Sequence, residues 1–191
     1  MSEQTKLPFE GDEDVKIAVP SKKKDTDSVK EKNELLEQLN KADEDGKIVL
    51  AKELGKEIAE KIASCEGEFS CASNFEQEIL FQCRLLFLFS VTVGSERYMP
   101  NTILAMTLIN SCHDEVNRIC PDLFRPEGNY STALSFYYLA VRGSTDVESE
   151  IGKTFAMICG KAGDPDFENL GTTLFERCTK YIKDRAEKFL D

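Results

Sequence analysis

The chain has no tryptophan, one histidine (His113), and no arginine before Arg84. A single histidine excludes the di-iron bundle site, which takes two Glu-x-x-His units, and Asn110 stands where the one available Glu would be. A zinc site would have to join His113 to distant thiols such as Cys83, Cys112 or Cys159, none at a zinc-site spacing. No metal, cofactor or nucleotide is therefore expected. Basic residues are nowhere concentrated, the longest run being Lys22-Lys23-Lys24, and the formal charge is -11. Nucleic acid is excluded on that ground, because phosphate binding depends on clustered Lys and Arg that displace counterions. An anionic membrane surface is disfavoured for the same reason.

Long hydrophobic runs are also missing. The longest stretch of aliphatic and phenylalanine side chains is Leu85 to Phe89, against about 20 residues for a bilayer span. The N-terminal sequence MSEQTKLPFEGDEDVK carries neither a basic n-region nor an apolar h-region, so no signal peptide is expected. The cysteines (65, 71, 83, 112, 120, 159, 178) are odd in number and form no CxxC. Cys83, Cys112, Cys120 and Cys159 sit among apolar neighbours, as buried free thiols do. These features predict a cytoplasmic protein in a reducing compartment, where the sequon Asn129-Tyr130-Ser131 has no consequence.

Fifteen of the seventeen Phe and Tyr, and all seven Arg, lie in 75–191. Aromatics supply much of a core's buried area, so the core domain is placed C-terminally. The segment Phe75 to Val93 is polar-tolerant at first (Glu76, Gln77, Glu78, Gln82, Arg84) and then apolar on every side. A helix apolar all round must be enclosed by others. Its tail, Phe87 to Val93, is strand-like in composition, but lacks alternation and a partner strand. The expected fold is all-α, about seven helices, with a core bundle around this central helix (75–93).

Residues 1–27 mix acids, Lys and Pro with almost no periodicity, which predicts a disordered arm. Residues 28–65 read as a peripheral helical hairpin. Ser28 and Glu31 form a capping box, Leu35, Leu36 and Leu39 a thin stripe, and Asp45-Gly46 the break. Leu50, Leu54, Ile58 and Ile62 follow at four-residue spacing. Residues 74–190 form the core bundle. There Pro100 is placed in a first helical turn, Gly143 after a helix end, and Thr145 with Glu148 in a second capping box. Asp164-Pro165-Asp166 is the cleanest helix start, an N-cap acid followed by Pro at N1.

Two near-motifs fail. Ile151-Gly152-Lys153-Thr154 resembles the end of a phosphate loop, but position 147 is Val where the first Gly is required, and no strand precedes it. Gly152 and Gly171 instead suggest close approach between two helices. Asp43-Glu44-Asp45-Gly46 places its Gly at the fourth position of a calcium loop that needs it at the sixth.

The residues left as ligand candidates are Arg84, His113, Gln82, Tyr137 and Tyr138. Arg84 presents a bidentate fork suited to an anion. His113 could polarise a thiol, since Cys–His pairs need only meet in space. The aromatic run Phe136-Tyr137-Tyr138 must turn at least one ring outward. No catalytic residue is assigned. The reading is a non-catalytic cytosolic interaction or adaptor domain, binding a protein partner or its own copy. The alternative is a small-ligand pocket or enzyme using Arg84, His113 and a cysteine.

Overall fold

A computed structural model describes residues 23–71, 75–125 and 130–190 of the chain. Among these residues there are seven α-helices and no strand: α1 (Lys23–Glu44), α2 (Lys47–Ser64), α3 (Gln77–Tyr98), α4 (Thr102–Ile119), α5 (Tyr130–Gly143), α6 (Val147–Ile158) and α7 (Pro165–Ala186). The all-α bundle read from the sequence is the fold. The expectation of a disordered arm falls largely on residues 1–22, outside the described residues, and α1 already begins at Lys23 rather than at the Ser28–Glu31 box.

Helix α3 is the centre. Every side chain from Leu85 to Val91 is fully buried, walled in by α4, α5, α6 and α7. Its mean hydropathy of 1.4 would suffice for a membrane crossing by length and composition, yet most of that surface is taken up by neighbouring helices. Phe89 shows how. Its ring stacks on Tyr137 of α5 at 5.2 Å and on Phe175 of α7 at 6.4 Å, and meets Tyr138 edge-on. The helix also runs further than Val93. Gly94 does not stop it, because it is buried against Ile182 of α7, where a Cβ would sit 3.2 Å from the Ile182 Cβ.

Three other glycines set how near the helices come. At Gly55 the α2 backbone approaches α4 so closely that a Cβ would lie 2.6 Å from the Leu108 carbonyl oxygen. The same crossing is pinned by the Ser111 hydroxyl, which donates to the Lys52 carbonyl at 2.8 Å. Gly152 of α6 faces the Glu168 carbonyl and Thr172 of α7, and Gly171 faces the Phe155 ring. The close approach inferred at Gly152 and Gly171 is thus present, and Gly55 is a third instance that the sequence did not flag.

The helix starts follow local chemistry with small displacements. Asp164 accepts from the Asp166 and Phe167 amides, with Pro165 at the first helical position. Pro100 lies before α4 rather than in its first turn, and Asn101 caps that helix through the Leu104 amide. Asp146, not Thr145, caps α6 through the Ser149 amide. Gly143 is the last residue of α5 rather than a residue beyond it.

The N-terminal hairpin is asymmetric. α2 lays Ala51, Ile58, Ala59 and Ile62 against the body, all fully buried. Among the α1 residues whose burial is described, only Ala42 is buried, and residues 32–37 and 39–41 are exposed. Leu35 and Leu39 share a stripe with Ala42 (i, i+4, i+7), so the apolar line begins on the body and runs off it into solvent.

Candidate functional site

The five sequence candidates do not converge. Gln82 and Tyr137 are buried. The Tyr137 hydroxyl and the Gln82 Oε1 are buried without a hydrogen-bond partner among the described residues. Burial also drives the Tyr137 phenol well above its ordinary pKa, with the Cys159 and Cys83 thiols adding to the effect. His113 lies elsewhere, at the edge of α4. Its Nδ1 faces the Tyr130 hydroxyl at 3.5 Å and its ring lies 6.2 Å from Phe124. Burial lowers its pKa, opposed by Asp114, so the imidazole is neutral at pH 7. Tyr138 lines a shallow hollow of about 420 Å³ with Ser135, Leu139 and Arg142, and none of the other four candidates borders it.

A buried hydroxyl without a protein partner is a cost, because it has left bulk water without gaining a side-chain or backbone hydrogen bond. Tyr137→Phe is therefore expected to stabilise the fold by about 1 kcal/mol, read as a higher urea midpoint with an unchanged m-value. A loss of stability would show that the hydroxyl is bonded in solution.

Arg84 belongs to a different group. Its Nη2 donates to the carbonyl of Ala63 at 3.0 Å, at the C-terminus of α2, where a cation complements the helix dipole. On the other side Arg177 of α7 donates from Nη2 to the Ser70 carbonyl at 2.9 Å. The two guanidiniums hold opposite ends of the segment that carries Cys65 and Cys71. Among the described residues neither pairs with a carboxylate, and each has a buried Nε without a partner. Between them Phe69 is fully buried, edge-on to Phe87 at 5.2 Å and to Tyr181 at 5.5 Å.

Three thiols meet here. Cys65 and Cys71 lie near enough to shift one another's titration, as do Cys71 and Cys83 of α3, while Cys65 Sγ donates to the Ile62 carbonyl at 3.6 Å. Cys65 and Cys71 are half-buried and Cys83 is buried. The Cys71 contact, followed by burial, drives the Cys65 thiol far up, against the pull of Arg84. At Cys71 the Cys65 contact pulls the value down, but the Cys83 contact and burial outweigh it and leave it at about 12. All three cysteines are free, and Cys65 has φ +54°, the one non-glycine residue in the left-handed region among those described. No group of His, Cys, Asp and Glu among the described residues is placed to hold a metal ion.

The sequence marks Arg84 as a charge needing a partner, but it offers a cysteine only as a partner for His113 and singles out neither the Cys65–Cys71 pair nor Arg177. No spacing rule marks Cys65-x5-Cys71-x11-Cys83, and Arg177 arrives from a helix a hundred residues away. The helix end after Ser64 and the Gly67 turn were the only local hints that Cys65 and Cys71 lie on one short loop.

Fold and site together define an all-α bundle with a thiol–arginine cluster gathered around the loop after α2 and an overhanging N-terminal helix. Comparison with family models, with curated proteins and with solved structures gave no match.

Proposed function

We propose that the chain is a non-catalytic interaction module of a reducing, cytosolic compartment, and that α1 is its docking element. The observation that carries this is the leucine stripe of α1, where Leu35, Leu36 and Leu39 are 46%, 55% and 40% exposed on a helix anchored through Ala42. Val49 and Leu50 at the start of α2 are exposed as well. Five such side chains offer on the order of 400 Å² of apolar surface, within the range of functional patches and short of the ~800 Å² per partner of a standard stable interface. That size suits transient docking better than an obligate dimer.

The partner is an amphipathic helix with basic flanks. A helix laid along an apolar stripe is the docking mode that i, i+4 leucines fit. The chain carries 35 acids against 24 Lys and Arg, which favours basic flanks. The groove of about 180 Å³ beside Leu50 is lined by Leu54 and Phe189, with Glu53, Glu57, Arg185 and Lys188 on its walls and Glu57 paired with Arg185 at 3.0 Å. It offers a seat for an apolar anchor, while the preference for basic flanks rests on the charge of the whole chain.

The test uses a synthetic 16-residue helix with Leu at i, i+3, i+4 and i+7 and Lys elsewhere, titrated against the full chain and against the triple variant Leu35→Glu/Leu36→Glu/Leu39→Glu. Because the three leucines are exposed, the variant is expected to keep its melting temperature within a few degrees. Its peptide affinity is expected to fall at least tenfold. The added glutamates raise the negative charge, so attraction by charge alone would strengthen binding. Equal or tighter binding by the variant would overturn the reading, as would concentration-dependent dimerisation lost in the variant with no peptide binding by either.

A further inference from the structure

We propose that Cys65 and Cys71 are a redox modification site, forming a reversible intramolecular disulfide by exchange with a small-molecule disulfide. The two thiols flank a five-residue loop, Glu66–Ser70, and lie near enough for each to shift the other's titration. Each is half-buried, open enough for a small oxidant to reach, whereas Cys83 lies sealed beneath them. The loop is fixed at both ends and in its middle. Arg84 holds the Ala63 carbonyl, Arg177 holds the Ser70 carbonyl, and Phe69 is buried between Phe87 and Tyr181. A pair held this way does not have to search for its partner, which raises the effective concentration of the second thiol.

The backbone points the same way. Cys65 adopts the left-handed conformation at the end of α2, a position that glycine or asparagine normally takes because other residues lose about 1 kcal/mol there. Strain of this kind persists where the surroundings over-determine it and collects at functional sites. The arginines supply the electrostatics. Among the described residues neither has a carboxylate to neutralise it, and Arg84 favours the thiolate of Cys65 as Arg177 favours that of Cys71.

The chemistry balances with a disulfide RSSR as oxidant. One cysteine thiolate attacks RSSR, forming a mixed disulfide and expelling RS⁻, which takes up the proton the cysteine lost. The second thiolate attacks the protein sulfur of the mixed disulfide and expels the second RS⁻, again protonated. Two S–H bonds and one S–S bond are broken in the reactants, and one S–S bond and two RS–H bonds form. The protein loses two electrons and two protons, and RSSR gains them. Both thiols are protonated at pH 7, so exchange is slow there and accelerates about tenfold per pH unit as the thiolate fraction grows. The pair is a slowly set switch rather than a peroxide-speed sensor.

The experiment treats the reduced full chain, without oxygen, with hydroxyethyl disulfide, an uncharged probe on which Glu66 and Glu68 exert no net repulsion. Acid-quenched samples are cut after glutamate, because trypsin leaves all three cysteines on the single peptide 62–84. The expected first product is a chain lighter by two hydrogen atoms, with the Cys65 and Cys71 fragments linked. Cys65→Ser and Cys71→Ser should each form an intramolecular disulfide at least tenfold more slowly, and Cys120→Ser at the wild-type rate. A Cys71–Cys83 bridge as the first product, stable mixed adducts without ring closure, or an undiminished rate in Cys65→Ser would each overturn the assignment. The wild-type mapping decides the matter even if a serine variant does not fold.

Discussion

Gly152→Ala is expected to destabilise the protein by about 3 kcal/mol, the upper end for overpacking a well-fitted contact. With 2–4 °C per kcal/mol for a domain of this size, that is a fall in melting temperature of roughly 6–12 °C. On propensity alone the sign would be opposite, since Ala in a helix interior is favoured over Gly by about 1 kcal/mol. Space decides against propensity. The new methyl would meet the Glu168 carbonyl oxygen and the Thr172 hydroxyl of α7. A backbone carbonyl cannot turn aside as a side-chain tip can, so α6 and α7 would have to part, and the buried Ile151, Phe155 and Leu174 would lose contacts. Gly163→Ala is the control. It has open space but φ +79°, so its cost is the left-handed penalty of about 1 kcal/mol. Calorimetry on both variants checks the ordering, and a Gly152→Ala protein as stable as wild type would mean that the two helices are further apart than described.

Phe69→Ala is expected to cost about 4 kcal/mol, the ordinary range for emptying a buried phenylalanine site being ~3–5. The ring is fully buried on a short turn and touches α3 through Phe87 and α7 through Tyr181. Its loss removes the one apolar anchor of the loop bearing Cys65 and Cys71. The substitution should therefore do two things that an ordinary cavity would not do together. It should lower global stability, and it should raise the alkylation rate of Cys65 and Cys71 under native conditions several-fold, leaving Cys178, buried in α7, protected. Phe69→Leu, which keeps most of the volume, should recover more than half of both effects. Loss of stability with unchanged thiol reactivity would separate the loop from its supposed anchor.

How much of this was legible beforehand depended on the range of the interaction. The α7 start was readable because its whole mechanism, an acid, a proline and two amides, lies within four residues from Asp164 to Phe167. The apolar belt Leu85–Phe89 announced its own burial, since nothing but other helices could cover it. The end of α3 was not legible. Gly94 is a stop signal in isolation and a contact surface in the fold, and only the position of Ile182 tells the two apart. Asp146 took over the cap assigned to Thr145, and α4 starts beyond Pro100 from an Asn101 cap, shifts of a residue or two that local chemistry does not resolve. The thiol cluster was the least legible feature, because its parts come from the end of α2, a loop, α3 and α7 and share no periodicity. Arg84 was marked as a charge needing a partner, and in the fold it donates to a helix carbonyl.

Hydrogen exchange of backbone amides, resolved by residue on the full chain, tests most directly the contrast on which this account rests: a bundle closed around α3 and an α1 that overhangs it. The amides of Leu85 to Val91 should exchange only through global unfolding, with protection that falls in step with stability in Gly152→Ala. Those of residues 32–40 in α1 should exchange orders of magnitude faster, because fraying there breaks few tertiary contacts. Amides of 32–40 as slow as those of α3, or a Leu85–Val91 segment exchanging well above the global rate, would contradict it.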